Sequence, residues 1–194
     1  MYRVIGTAKS RAFRVMWMLE ELGQPYEVTP AMPQSDEVRQ YNPLGKVPAL
    51  LDGDAVLTDS VAIMTYLADK HGNLTAPAGT PERARQDAMT LWLVDERDAL
   101  LWTAAKHSFV LPEKLRVPDV KTTVKKEFAR NAERLAGMIK GDYLMGDSPS
   151  VPDLLASHCL GWSIVAKFDP LPDSLKPYTK RLRERSAYKA AAAR

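Results

Sequence analysis

The sequence predicts an α/β domain followed by an all-α domain. Three observations carry this. Short β-rich segments alternate with helical ones over residues 1–75. A stretch rich in Pro, Gly and Thr follows at 72–81. Beyond it strand signals stop, and helical periodicities fill the rest of the 194 residues. The expected domains are therefore 1–75 and 80–194.

Taken in order, Tyr2-Arg3-Val4-Ile5 is β-rich and ends at Gly6, so it reads as a strand. Ser10 to Gly23 carries Val15, Met16, Leu19 and Leu22 at helical spacing, with Gly23 as the stop. Pro25 to Thr29 reads as a second strand, and Ser35 to Tyr41 as one or two helical turns. The apolar run Val47 to Leu51 turns through Asp52-Gly53-Asp54 into Ala55-Val56-Leu57, a hairpin. A helix then runs from Asp59 to His71 and closes at Gly72. The β-α-β opening implies a parallel pair with a right-handed crossover. The hairpin adds antiparallel strands, so the sheet is small and mixed.

In the second half, Thr80-Pro81 starts a helix, with Thr as cap and Pro in the first turn. Ala88, Leu91, Trp92, Asp95, Ala99 and Trp102 trace its expected inner stripe. A second helix carries Val120, Val124, Phe128, Asn131, Leu135 and Met138. A third opens at Ser150-Val-Pro-Asp153, a variant of the capping box, with Leu155, Cys159, Trp162 and Ala166 facing inward. Short helices at 173–185 and 187–193 close the chain.

Composition narrows the function classes. Hydrophobic residues make up 45% and charged residues 26%, the mix of a globular protein. Net charge is 27 − 24 = +3, and the densest basic cluster, Lys180-Arg181-Leu182-Arg183, reads as a solvated helix face rather than a nucleic-acid site. Cys159 is the single cysteine, so no internal disulfide and no Cys-rich metal site can form. His71, His107 and His158 lie far apart, without metal-ligand spacing. No window approaches ~18 apolar residues, so neither a signal peptide nor a membrane span is expected. A reduced, cytoplasmic compartment fits these features.

Three segments carry candidate chemistry. Val47-Pro48 opens an apolar strand, where Pro fits only an edge position. A trans Pro simply starts the strand; a cis bond turns the Val47 N–H and C=O outward, able to pair with a ligand's peptide backbone. The helix beginning near Ser10 offers free N–H groups and the positive end of its dipole to an anion. Ser10 either caps that helix or donates to the bound anion, and Thr7 is the rival donor. Thr58-Asp59-Ser60 lies between the last strand and its helix. Asp59 suits an ammonium and Ser60 a carboxylate, while a plain helix cap explains the pair as well.

Ser10-x-x-x-Arg14, Trp17-Met-Leu-Glu-Glu-Leu-Gly23-x-Pro-Tyr-Glu27, Asn42-Pro-Leu-Gly-Lys-Val-Pro-Ala-Leu50 and Leu57-Thr-Asp-Ser-Val-Ala-Ile-Met-Thr-Tyr-Leu67 follow one another in this order. Together they resemble the cytosolic glutathione S-transferase family, of the bacterial, Ser-type kind. The Ser150-Val-Pro-Asp153 start is also similar, apart from Pro152, where that family usually has Ala. The resemblance implies a thioredoxin-like N-terminal domain with a four-stranded mixed sheet, a helical-bundle C-terminal domain and a homodimer. It implies a cis Pro48. It implies that Ser10 holds the thiol of glutathione, the co-substrate, and that Val47 pairs with the cysteinyl backbone. Asp59 and Ser60 would hold the γ-glutamyl group, and Lys46 the glycyl carboxylate.

The second substrate would be a small hydrophobic electrophile, as in detoxification. Its pocket is expected at Ala8, Lys9, Trp102, Lys106 and His107, although Trp102 also suits plain packing and His107 a helix end. Asp95 either meets a buried partner or faces the other subunit's glutathione site. No metal is required. A relative that binds glutathione or a partner without catalysis, and a glutathione-dependent isomerase or peroxidase, are the alternatives.

Overall fold

The structure is a computed structural model describing residues 1–194. Its contacts divide into two units, Met1–Ala78 with Arg183–Arg194, and Gly79–Leu182.

The first unit is built on a four-stranded sheet, β1 (Tyr2–Ile5), β2 (Tyr26–Thr29), β3 (Ala49–Asp52) and β4 (Ala55–Thr58), in the order β2-β1-β3-β4. β1 and β2 pair in parallel across α1 (Ala12–Glu21); β3 runs antiparallel to both β1 and β4. This is the thioredoxin-like mixed sheet. Strand alternation sets its two faces. Ile5 packs with Ala31, Val38 and Ala49, and Val38 comes from the short helix α2 (Asp36–Arg39), which Ser35 caps through the Val38 N–H at 3.3 Å. Tyr2 and Val4 point the other way, and both are buried. α1 packs on β1 and on α3 (Ser60–His71). α3 ends at Gly72 in the left-handed conformation, φ 60°, where glycine avoids a Cβ clash.

The second unit is helical. Thr80 caps α4 (Pro81–Leu93), its Oγ1 accepting from the Arg83 N–H at 3.2 Å. α4 passes through a π-turn at Val94–Asp98, continues as α5 (Ala99–Ala105), and ends in a second π-turn at Lys106–Val110. α6 (Val120–Met138) and α7 (Val151–Val165) pack against this long helix. Before α8 (Lys176–Glu184) stands a single 3₁₀ turn, Asp173–Leu175. No helix is long and apolar enough to cross a membrane.

Two expectations differ from the structure. The inner face of the long helix is not the stripe through Leu91 and Asp95. Leu91 is 66% exposed and Asp95 is exposed, while Gln86, Thr90, Leu93, Arg97, Leu101 and Ala104 are buried. The true face carries polar residues, and Arg97 keeps Nε and Nη2 buried without a hydrogen-bond partner. Thr90 Oγ1 donates to the Gln86 carbonyl at 2.9 Å, and Arg97 Nη1 donates to the Phe128 carbonyl at 2.8 Å. The Arg97 guanidinium also lies 3.5 Å from the Phe128 ring centroid, and burial lowers its pKa to about 10. A hydrophobic stripe cannot reveal such a face. The second difference is at the C-terminus. The end of the chain, grouped above with the helical half, packs in the first unit, because α9 (Ser186–Ala192) buries Ala187 and Ala191 there and lies against α1.

Candidate functional site

Sheet register gathers the three polar segments. Ile5 of β1 pairs with Ala49 of β3, and Ala49 pairs with Thr58 of β4. These three residues form one row across the sheet. The chain leaves the row from Ile5 toward Ser10, enters it through Val47-Pro48, and leaves it again from Thr58 into Asp59-Ser60. Segments far apart in sequence thus share one sheet edge, where α/β folds bind ligands.

Gly6 is the residue at which they meet. A Cβ built on it would lie 2.8 Å from Ala12 Cβ, 3.3 Å from Val47 Cβ and 3.6 Å from Ser10 Oγ. Its φ of 136° is also one that side-chain-bearing residues rarely adopt. Gly6 therefore lets the start of α1 approach Val47.

Ser10 is half-buried. Its hydroxyl donates to the Thr7 carbonyl at 2.8 Å and accepts from the Ala12 N–H at 3.2 Å. It serves the first turn of α1 in place of Arg11, whose side chain makes no cap. The Val47-Pro48 bond is cis. Val47 precedes the β3 ladder, which begins at Ala49, and its N–H and C=O enter no main-chain turn bond. The Lys46 side chain is exposed; its carbonyl accepts from Asn42 Nδ2 at 3.0 Å, which fixes the loop before Val47.

Asp59 caps α3. Its Oδ1 accepts from the Val61 N–H at 2.8 Å and the Ala62 N–H at 3.1 Å. Its backbone, at φ 69° and ψ 123°, lies in a region that favours glycine, a strain of roughly 1–3 kcal/mol. The carboxylate is exposed, and Oδ2 takes no part in the cap. Ser60, beside it, is only 3% exposed. Its Oγ accepts from Arg14 Nη1 at 3.1 Å.

Arg14 and Gly6 are the residues that motif reading passed over for a role. Arg14 is 1% exposed and sits in the buried run Ala12–Leu19 of α1. A lone arginine in such a run is the signal that points to it, since a buried charge needs a partner. It ties the start of α3 to α1 and sets a positive charge behind Ser60.

The expected acceptor-pocket residues fall in both units. Ala8 and Lys9 belong to the first, in the loop before α1. Trp102, Lys106 and His107 belong to the second, and all three are half-buried on the last turns of the long helix. His107 Nδ1 accepts from the Val117 N–H at 3.0 Å, so the neutral ring carries its proton on Nε2. No group of three or more His, Cys, Asp or Glu side chains stands where it could hold a metal ion.

Comparison with known proteins places this geometry among relatives. The family described as glutathione S-transferase, N-terminal domain, matches residues 8–77. The chain is 34% identical to glutathione S-transferase 1 of Zea mays over 149 residues, 70% of this chain and 68% of that protein. It is 30% identical to glutathione S-transferase 3 of Zea mays over 188 residues, 86% of this chain and 80% of that protein. Among solved structures, the glutathione transferase of Methylococcus capsulatus strain Bath superposes with a TM-score of 0.83 at 27% identity, covering 100% of this chain and 98% of that one.

Proposed function

Since this chain belongs to the glutathione S-transferase family and is a glutathione transferase, we propose that it holds glutathione along the edge formed by Ser10, Val47-Pro48 and Asp59-Ser60, and activates its thiol there for attack on a small hydrophobic electrophile. The observation that supports this reading most is the Ile5–Ala49–Thr58 row, which brings a helix start, an unladdered strand entry and a capped helix start to one edge.

Each role follows from chemistry. A free thiol has a pKa near 8.5, so only a few per cent is thiolate at neutral pH, and the thiolate is the nucleophile. Lowering that pKa by about 2 requires roughly 2.7 kcal/mol of preferential anion stabilisation. One charge-assisted hydrogen bond with the N-terminus of α1 supplies about that much. Ser10 is the donor: its hydroxyl hydrogen turns from the Thr7 carbonyl to the sulfur, and the Ala12 N–H keeps the oxygen in place. Val47 pairs its N–H and C=O with the cysteinyl backbone. Asp59 takes the γ-glutamyl ammonium on the oxygen outside the cap. Ser60, with Arg14 behind it, takes the γ-glutamyl carboxylate. Lys46 reaches the glycyl carboxylate.

Trp102, Lys106 and His107, with Ala8 and Lys9, are the residues we assign to the electrophile. A second copy of the chain is the partner, in keeping with the exposed Leu91, Val56 and Tyr66. The protein works in a reduced cytoplasm, consistent with its single, buried cysteine, Cys159, which forms no disulfide.

Ser10→Ala tests the mechanism. Glutathione affinity by calorimetry should stay within a few fold. The kinetic pKa of the bound thiol should rise toward about 8.5, and kcat near pH 7 should fall roughly 10- to 100-fold. An unchanged pH–rate profile moves the donor role to Thr7 or Lys9. Glutathione binding by the parent protein without thiol transfer to any aryl halide would instead mark a binding protein.

A further inference from the structure

The C-terminal helix is unused by this chemistry, yet it grips the element that carries Ser10. The Tyr188 ring meets Phe13 edge-on at 5.2 Å between centroids and Trp17 at 4.9 Å. Arg185 forms a two-pronged ion pair with Glu21, Nε to Oε1 at 2.6 Å and Nη2 to Oε2 at 2.7 Å. The Glu21 side chain is 5% exposed and also accepts from Trp17 Nε1 at 2.9 Å. Arg194 pairs with Glu20 at 3.2 Å, and its guanidinium lies 4.8 Å from the Tyr26 ring centroid. Ala187 and Ala191 are buried between these contacts. The ion pairs thus hold the last turn of α1, and Tyr188 holds the first.

The first turn is where the proposed site hangs. The Phe13 N–H donates to the Ser10 carbonyl at 3.1 Å, and the next residue, Arg14, reaches Ser60. Moving Phe13 moves both. A donor that stabilises a developing anion must be held to within about half an ångström. We infer that Tyr188, supported by Arg185, is a positioning residue for glutathione activation: α9 clamps α1 so that Ser10 meets the sulfur and Arg14 backs Ser60. The inference rests on the Ser10 reading above.

The test uses the full chain with Tyr188→Ala and Tyr188→Phe, with Arg185→Gln as a second way to loosen the clamp. Leu74→Ala is the stability control, since Leu74 is buried beyond the end of α3. Amide hydrogen exchange without any ligand is the first readout. Tyr188→Ala should speed exchange at Phe13 and Arg14 about tenfold while β1 and β3 amides change less than about twofold. The second readout is the pH profile of kcat/KM for glutathione with an aryl halide. Tyr188→Ala should raise the kinetic pKa by about half a pH unit and lower kcat roughly three- to tenfold, leaving KM for the halide unchanged. Arg185→Gln should shift both readouts the same way by less. Tyr188→Phe should restore both, because the ring makes the contact.

A rise in exchange spread evenly over the first unit, as Leu74→Ala would give, overturns the inference, and so does an unmoved kinetic pKa in Tyr188→Ala. If the parent protein shows no turnover with glutathione, the Ser10 reading fails, and the exchange data alone then decide whether α9 fixes the first turn.

Discussion

Two helices of this protein begin at an acidic side chain, and the two carboxylates meet opposite fates. At the start of α7, Asp153 is fully buried and both oxygens are saturated. Oδ2 accepts from the Ser150 N–H and the Ser150 hydroxyl, each at 2.9 Å. Oδ1 accepts from the Leu144 N–H and the Tyr178 hydroxyl, each at 2.9 Å. Burial pushes its pKa up against these bonds. At the start of α3, Asp59 is exposed, commits one oxygen to the cap and holds a strained backbone. Saturated hydrogen-bonding capacity ties Asp153 to the fold, whereas Asp59 keeps an oxygen outside its cap, the one that the proposed function gives to the γ-glutamyl ammonium.

The largest expected effect breaks the first half of this comparison. Asp153→Ala strands four donors in a buried site, and we expect a loss of about 3 kcal/mol or more. For a chain of this length that lowers Tm by roughly 10 °C. Thermal unfolding followed by circular dichroism checks it, and a loss under about 1 kcal/mol would mean that water replaces the carboxylate. Below the lowered Tm, glutathione affinity should match that of the parent.

Next in size is Gly6→Ala, which probes the meeting point of the site. The added methyl would stand 2.8 Å from Ala12 Cβ on a backbone at φ 136°. Relief requires α1 to shift away from Val47, at about 2–3 kcal/mol. Glutathione turnover should be lost while the protein remains folded. A variant with parent-like turnover would show that the approach of α1 to Val47 is not needed.

Gly6 also shows where sequence reading stops. The element order along the chain was legible because its signals are local. Gly23 and Gly72 stop helices, Ser35 and Thr80 cap them, and Ser150 with Asp153 forms the expected box. The cis Val47-Pro48 bond matched what the family resemblance implied. The meeting of the three segments was legible only through the family resemblance, since it depends on antiparallel register between β1, β3 and β4, and no local pattern encodes register. Arg14 on Ser60 and α9 on α1 were not legible, being contacts 46 and 164 or more residues apart in the chain. Within the long helix, the inner face departs from the hydrophobic stripe from the start, because Gln86, Thr90 and Arg97 are buried on it while Ala88 and Leu91 are exposed.

The smallest expected change in stability sharpens the comparison most. Asp59→Ala removes the cap to the Val61 and Ala62 N–H groups and leaves a Cβ at φ 69°, so it should cost about 1–2 kcal/mol and weaken glutathione binding together. Asp59→Gly separates the two effects. Glycine is a fair cap residue and accepts the positive φ without strain, so stability should stay within about 0.5 kcal/mol of the parent. The carboxylate is gone all the same, and glutathione should bind roughly 5- to 10-fold more weakly by calorimetry, about 1–1.4 kcal/mol. An Asp59→Gly protein that binds glutathione as tightly as its parent would show that Asp59 is a cap like any other. Its strained backbone would then have no part in recognising the γ-glutamyl ammonium.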